Sequence, residues 1–214
     1  MNVVNQNQKK TDMKILIKDN YFEDPNLIRN MGLSHGKYRV NNSLAIPPTS
    51  WRGQRTPPLR KLNNPILDGY AKDIFNICHE YFDLDNFVFP YDPENPAEEF
   101  TITTYFHVTT EETRNAFPDF WQDRFHKDFD TAAAGVVYLS PDAPLNAGTS
   151  VFDARNNQMI NVENKYNRLV AYEGTRIHAL SDVFGDSVET GRMTFTFFIH
   201  EVQSLDVFEE DEIF

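Results

Sequence analysis

The chain has 214 residues, of which 40% are hydrophobic and 24% are charged, and this balance is typical of one globular domain long enough to bury a sizeable core. Its formal net charge of −12 argues against nucleic acid as a partner, because binding to phosphates depends on Lys and Arg side chains. No apolar run approaches the ~20 residues that a membrane span needs, and the only cysteine, Cys78, excludes an internal disulfide, so we expect a cytoplasmic protein without a membrane partner.

The first elements of the chain are predicted to be a flexible tail, a strand and two helices. Residues 1–12 are polar and are expected to be flexible. A strand over residues 13–18 leads into a helix that begins at Pro25, a residue suited to the first helical position, and stops at Gly32. The spacing of apolar residues over 65–82 predicts a second helix with one face against a sheet.

A proline-rich segment lies between the two predicted helices. Residues 45–58 contain four prolines and cannot keep a regular structure for long. Because ordered loops of this length often carry function, Trp51, Arg52 and Arg55 are candidates to border a site and touch substrate. The alternative is that Trp51 fills an apolar gap and that both arginines are solvated.

The next predicted strand, over residues 99–108, places Tyr105 and His107 on one face. Tyr105 is a candidate for a hydrogen bond to a bound ligand. His107 is a rival metal ligand, although no carboxylate follows two residues later. The segment over residues 109–125 is long for a hairpin connection, and it forms either a lid over bound substrate or a short amphipathic helix against the sheet.

A candidate metal site follows this segment. In a strand, residues two apart point to the same face, so His126 and Asp128 can lean toward a common point. An imidazole from an adjacent strand would complete the 2-His-1-carboxylate set, which leaves coordination positions open as non-haem Fe(II) oxygenases require. His178 is the candidate for this third ligand.

The C-terminal half is predicted to consist of short antiparallel strands. The sheet resumes at 136–139, and short strands then recur near residues 151, 160, 169, 177 and 195, with an even spacing that is typical of a jelly roll or barrel. No long helices alternate with these strands, which disfavours a parallel α/β sheet.

The last predicted strand carries a candidate anion site. A period of two puts Arg192 and Thr194 on one face, and a guanidinium beside a hydroxyl suits a dicarboxylate held through two hydrogen bonds. His200 shares this face but lies about 26 Å from Arg192 at the rise of a strand, so we expect it to lie outside the site.

The segment from Phe125 to His200 resembles the catalytic core of the Fe(II)- and 2-oxoglutarate-dependent dioxygenases, and it is most similar to the prolyl-4-hydroxylase-like branch. The landmarks occur in the order of the family over about a third of the chain: His126-x-Asp128, the strand at 135–139, the turn and strand at 148–152, the strand at 168–172 with Glu173-Gly174, His178, and Arg192-x-Thr194. The prolyl hydroxylases proper commonly hold the far carboxylate of 2-oxoglutarate with Lys, where this chain has Arg192. The resemblance therefore does not extend to a prolyl substrate.

The resemblance implies a fold and an organisation for the chain. The fold would be mainly β with flanking helices (α+β), with a double-stranded β-helix (jelly roll) as core and the N-terminal α-helices as support. A single dioxygenase domain would span residues 13–203, followed by an acidic tail at 204–214. Apolar residues in this tail leave a homodimer open as an oligomeric state.

The resemblance also implies a chemistry. The enzyme would hydroxylate a peptidyl residue, an amino acid or a small metabolite with O2 and release succinate and CO2. Fe(II) would be held by the metal ligands His126, Asp128 and His178, with ascorbate as a candidate reductant. The cosubstrate 2-oxoglutarate would be held by the following candidate residues: Arg192, Thr194, Tyr138 and Tyr105.

Two other interpretations of the same residues remain. One is a cupin-like metal enzyme that does not use 2-oxoglutarate, in which Arg192 and Thr194 would have no assigned task. The other is a non-catalytic jelly roll for binding or assembly, in which the His and Asp side chains would be polar surface groups.

Overall fold

The computed structural model of the chain describes residues 13–35, 37–40, 53–86, 100–115, 124–128, 131–154 and 156–201. The predictions for residues 1–12, for Trp51 and Arg52, and for the tail at 204–214 lie outside the described residues. Within the described residues, the helices fall short of the length and apolar character that a membrane crossing needs.

The described residues form two antiparallel sheets with helices on one side. The strands in chain order are β1 (Ile15–Lys18), β2 (Arg39–Val40), β3 (Gln54–Arg55), β4 (Phe100–Thr109), β5 (Thr131–Tyr138), β6 (Thr149–Asp153), β7 (Gln158–Val162), β8 (Leu169–Glu173), β9 (His178–Leu180) and β10 (Arg192–Glu201). The helices are α1 (Pro25–Ser34), α2 (Pro65–Phe82) and α3 (Glu111–Asn115), with 3-10 turns at Leu59–Leu62 and Leu84–Asn86. The larger sheet has the order β1-β8-β5-β10-β4-β3-β2 and the smaller one β7-β6-β9. This mainly β architecture confirms the predicted fold class.

Helix α1 begins as predicted but continues past Gly32. Its N-terminus is capped by Asp24, whose Oδ1 accepts a hydrogen bond from the Leu27 amide at 2.9 Å. Gly32 is buried inside the helix, where a Cβ would lie 3.1 Å from both the Phe106 ring and the Met193 sulfur. The glycine therefore allows close packing on the sheet and does not end the helix, so the predicted stop was wrong.

The alternation of side chains along β10 separates the hydrophobic core from the polar cavity. One face is fully buried beneath the helices: Met193, Phe195, Phe197 and Ile199. The other face lines a cavity between the two sheets: Arg192, Thr194, Thr196, Phe198 and His200. Because successive residues of a strand point to opposite faces, one strand serves both purposes.

Helix α2 covers the outer face of the larger sheet, and its two faces differ sharply in exposure. Ile74 is 0% exposed, whereas Ile66 in the same helix is 42% exposed. We expect Ile74→Ala to lower the free energy of unfolding by about 2–5 kcal/mol, because it leaves a cavity in the core. Ile66→Ala should stay within about 0.5 kcal/mol. Denaturant titration of both variants measures this, and equal losses would contradict the packing of α2.

Candidate active site

The cavity between the two sheets has a volume of about 260 Å³. Strands β4 and β10 of the larger sheet form one wall, and residues of the smaller sheet and of the segment at 124–128 form the other. The predicted site residues His126, Asp128, His178, Arg192 and Thr194 all line it. The fold thus brings together residues that are up to 68 positions apart in the sequence, from 126 to 194.

The segment at 126–128 extends the edge of the smaller sheet. It is not the strand that the sequence predicted, because only His126 forms a single antiparallel bridge, with His178 of β9. The His126 amide donates to the His178 carbonyl at 3.0 Å, and the His178 amide donates to the His126 carbonyl at 2.9 Å. The Asp128 amide donates to the Gly174 carbonyl at 2.9 Å, which fixes the backbone two residues further on.

The two imidazoles and the carboxylate converge inside the cavity. The Nε2 atom of His126 lies 3.7 Å from Oδ1 of Asp128, and Nε2 of His178 lies 3.3 Å from Oδ2. One donor atom from each residue lies within 4.8 Å of the other two, and no other such group exists in the described part of the chain. The Tyr172 ring packs on the His178 imidazole with 4.5 Å between the ring centroids.

Backbone carbonyls determine the tautomer of both imidazoles. Nδ1 of His126 lies 2.8 Å from the Arg124 carbonyl, and Nδ1 of His178 lies 2.8 Å from the Arg176 carbonyl. A carbonyl oxygen only accepts hydrogen bonds, so each neutral ring carries its proton on Nδ1 and turns the lone pair of Nε2 toward Asp128. Two lone pairs therefore face a carboxylate, which is the donor arrangement that a metal cation satisfies.

The Asp128 carboxylate supports the same assignment. Its Oδ2 is buried and has no hydrogen-bond partner among the described residues. Burial opposes the negative charge, but the neighbouring His178, His126 and Arg55 together hold the pKa of this carboxyl below its ordinary value. Burial and the neighbouring His178 also lower the pKa of His126, so its ring is neutral at pH 7. A buried carboxylate oxygen whose near neighbour is an imidazole nitrogen at 3.3 Å fits the hard and borderline ligands that Fe(II) prefers.

Arg192 is buried at one end of the cavity, where its guanidinium is held by the backbone. Nε donates to the Ala147 carbonyl at 2.9 Å, and one terminal nitrogen donates to the Gly148 carbonyl at 3.1 Å. A Cβ on Gly148 would lie 1.8 Å from the Val162 carbonyl, so only glycine allows this approach. No acidic side chain among the described residues forms an ion pair with Arg192, so this buried cation suits the carboxylate of a ligand.

The other predicted ligand-binding residues divide into two groups. Thr194 and Tyr105 line the cavity. Tyr138 does not line the cavity. It is 0% exposed, and its hydroxyl shares a 2.7 Å hydrogen bond with Oγ1 of Thr149. The Arg192 guanidinium lies 5.4 Å from the Tyr138 ring centroid, so this tyrosine supports the arginine from behind.

Two further histidines line the cavity without joining the metal group. His107 contributes to the β4 wall of the cavity. His200 also lines the cavity, and its Nδ1 atom lies 3.3 Å from Oγ1 of Thr131. The prediction that His200 lies outside the site was wrong, because the cavity runs along β10 and reaches residues far from Arg192. Distance along the strand separates His200 from Arg192 but not from the cavity.

Arg55 borders the cavity. The structure therefore supports the prediction that Arg55 borders a site over the alternative that it is solvated. Its guanidinium lies 4.9 Å from the Tyr105 ring centroid and 5.3 Å from that of Phe198. Burial lowers the pKa of Arg55 to about 10, so the side chain stays charged at neutral pH. Its backbone position opposite His107 in the sheet directs it to this wall.

The segment between β4 and His126 is helical where it is described. Helix α3 covers Glu111–Asn115, and Arg114 in it forms an ion pair with Asp182 at 2.6 Å. Of the two predictions for residues 109–125, a lid or a short helix, the described part agrees with the short helix. Residues 116–123 lie outside the described part of the chain.

The comparisons with known proteins agree with the fold. No protein-family model matches the sequence, and no curated protein matches it. A prolyl-4-hydroxylase from Pseudomonas putida has 14% identity and a TM-score of 0.53 over 90% of this chain and 95% of that chain. A prolyl hydroxylase from Trichoplax adhaerens, solved with a peptide fragment of hypoxia inducible factor, has 12% identity and a TM-score of 0.55 over 87% of this chain and 83% of that one. SnoN, a non-heme alpha-ketoglutarate-dependent epimerase, has 10% identity and a TM-score of 0.51 over 88% and 78%.

Binding of a divalent cation should weaken as the pH falls, because protons compete for the imidazoles. Since burial lowers the pKa of His126, we expect this loss only below the ordinary histidine value of about 6.5. Titrations with Mn(II), repeated at pH values between about 5 and 8, measure the effect. His79→Ala, a histidine of α2 outside the cavity, is the control. Affinity that does not change over this range would contradict the assignment of imidazole ligands.

Proposed function

We propose that this chain, which has the fold of the prolyl-4-hydroxylases, is an Fe(II)- and 2-oxoglutarate-dependent oxygenase that hydroxylates its substrate and releases succinate and CO2. One observation carries the proposal. Donor atoms of His126, Asp128 and His178 lie within 4.8 Å of one another, in the same cavity as the buried Arg192. A metal site and a carboxylate anchor in one cavity are the two requirements of this chemistry.

In this proposal, His126, Asp128 and His178 would hold one Fe(II) ion. The bound ion would supply coordination positions for the 2-oxo acid and for O2. The carbonyl contacts at both Nδ1 atoms keep the imidazoles oriented and raise their strength as ligands. Asp128 contributes the negative charge that partly neutralises the ion.

The cosubstrate would lie along β10. Arg192 would pair with the far carboxylate of 2-oxoglutarate, and Thr194, on the same face, would add a hydroxyl contact. The ring of Tyr138 keeps the guanidinium in place, and Tyr105 is a further contact from β4. Because Arg192 already donates to two carbonyls, it is oriented before the cosubstrate arrives.

The substrate could be a peptidyl residue, an amino acid or a small metabolite. The Trichoplax prolyl hydroxylase was solved with a peptide, which keeps a peptide among the candidates. Ascorbate is the candidate reductant. A cupin-like enzyme indifferent to 2-oxoglutarate would leave the buried Arg192 without a function, and a non-catalytic jelly roll would leave the buried Oδ2 of Asp128 without a partner.

Removal of one imidazole should abolish both metal binding and turnover. We expect His178→Ala to lose Mn(II) and Fe(II) affinity and, with it, succinate production from Fe(II), 2-oxoglutarate and ascorbate. His79→Ala is the matched control. If wild type shows metal-dependent turnover that does not require 2-oxoglutarate, the result would support the cupin-like alternative. If wild type has no affinity for metal, the result would support the non-catalytic alternative.

Removal of the carboxylate anchor should spare the metal. We expect Arg192→Met to bind Mn(II) normally but to bind 2-oxoglutarate about 10- to 100-fold more weakly, because hydrogen bonds to charged groups contribute about 1.5–3 kcal/mol. Calorimetric titration of the Mn(II)-loaded protein with 2-oxoglutarate measures this. Arg60→Met, an exposed arginine outside the cavity, is the control. Unchanged affinity for 2-oxoglutarate would contradict the role of Arg192.

A further inference from the structure

The hydroxyl groups of the cavity lining differ in whether the protein itself supplies a hydrogen-bond partner. Among the described residues, the lining side chains that carry a hydroxyl are Tyr105, Thr131, Thr149, Tyr172, Thr194 and Thr196. The four threonines share hydrogen bonds with other side chains, in the pairs Thr131–His200, Thr149–Tyr138 and Thr194–Thr196. Tyr105 has the Arg55 guanidinium over its ring and further contacts in the protein. No described residue forms a hydrogen bond with the Tyr172 hydroxyl.

Tyr172 is buried although its hydroxyl lacks such a partner. The residue belongs to β8 and is only 5% exposed. Its ring packs on the His178 imidazole, so the side chain is held against a proposed metal ligand. A buried donor without a hydrogen bond is costly, and buried polar groups in folded proteins nearly always have a partner. The Tyr172 hydroxyl is therefore suited to meet a molecule that enters the cavity.

The position of Tyr172 favours the metal end of the cavity over the Arg192 end. In the larger sheet, Tyr172 pairs with Ala134, which in turn pairs with Phe198. Phe198 is six residues beyond Arg192 on β10, counted from 192 to 198. Burial raises the pKa of Tyr172 well above its ordinary value, and of the charged groups Asp128 adds to this rise, whereas Arg192 opposes it with a smaller effect. The hydroxyl therefore stays protonated and can donate a hydrogen bond beside the metal group.

A bound 2-oxo acid needs a hydrogen-bond donor at this end. In the proposed site, the far carboxylate of 2-oxoglutarate pairs with Arg192, and the other carboxylate lies beside the keto group at the metal. A carboxylate has about four lone-pair positions, so coordination through one oxygen leaves acceptors that need a donor. A protonated phenol meets this need without adding charge to the cavity.

We propose that the Tyr172 hydroxyl donates a hydrogen bond to the carboxylate next to the keto group of 2-oxoglutarate. This inference rests on the proposed function and adds a binding residue to it. Different donors then hold the two ends of the cosubstrate, with Arg192 at the far carboxylate and Tyr172 at the carboxylate near the metal. Tyr138, which the sequence favoured for a contact with the cosubstrate, instead shares its hydroxyl with Thr149.

The Tyr172→Phe variant tests this proposal, because it removes the hydroxyl and keeps the ring that packs on His178. Calorimetry on the full chain, loaded with Mn(II), measures the affinity for 2-oxoglutarate and for 2-oxobutyrate, which is a 2-oxo acid without the far carboxylate. We expect the variant to bind both ligands on the order of 10-fold more weakly than wild type, because a hydrogen bond to a charged group is lost. Arg192→Met should weaken the binding of 2-oxoglutarate only. In the control Tyr81→Phe, which removes a hydroxyl bonded to the Ile15 carbonyl outside the cavity, both affinities should equal those of wild type.

The stability of the unloaded protein provides a second measurement. Because no described residue bonds to the Tyr172 hydroxyl, its removal leaves no group of the protein without a partner. We therefore expect Tyr172→Phe to unfold at the same or a higher denaturant concentration than wild type when metal and 2-oxoglutarate are absent. A lower midpoint would show that the hydroxyl has a partner within the protein, and the inference would then be wrong.

Unchanged affinity for 2-oxoglutarate in Tyr172→Phe would overturn the inference. A loss confined to 2-oxoglutarate would also contradict it, because the hydroxyl would then serve the far carboxylate. Weaker binding of Mn(II) by this variant would count against it as well, since the substitution would then act through the metal ligands. Failure of wild type to bind Mn(II) or 2-oxoglutarate would instead overturn the proposed function.

Discussion

The geometry of the site depends on one backbone bridge between His126 and His178. The reciprocal hydrogen bonds of this bridge, at 3.0 Å and 2.9 Å, hold two distant parts of the chain side by side. The Nδ1 contacts with the carbonyls of Arg124 and Arg176 then orient both rings. The hydrogen bonds at both Nδ1 atoms go to backbone groups, and the Tyr172 ring packs on the His178 imidazole. Asp128 completes the group because its own amide is bonded to Gly174.

Strand β10 joins this site to the stability of the domain. Its outward residues, among them Phe195 and Phe197, are buried beneath the helices, and its inward residues include Arg192 and Thr194. The hydrophobic contacts that stabilise the fold therefore fix the position of the polar cavity wall. Its two neighbours, β4 and β5, are each paired with it over most of its length. Pairing on both sides therefore fixes the backbone of β10 from Thr194 onward, and β4 alone pairs with Arg192.

A short spacing or strand periodicity was sufficient to predict residues that the fold brings to one cavity, such as His126-x-Asp128 and Arg192-x-Thr194, while their roles stay a prediction. It was insufficient where tertiary packing decides the outcome. Gly32 has the usual signature of a helix stop, but contact with Phe106 makes it an interior residue. His200 was excluded by a distance along the strand, which does not describe the shape of a cavity. Arg55 lies in a two-residue strand within a proline-rich segment, which is too short for a period to indicate the direction of its side chain.

The turn before β6 links the outside of the molecule to the guanidinium of Arg192. The Gly148 carbonyl accepts a hydrogen bond from Arg192, and the same residue leaves no room for a side chain against the Val162 carbonyl of β7. Because Gly148 adjoins β6 and packs against β7, the position of the β6–β7 hairpin determines the orientation of the Arg192 guanidinium. Exchanges at the periphery of this hairpin could thus tune how tightly the proposed dicarboxylate is held, while every residue that would touch it stays the same.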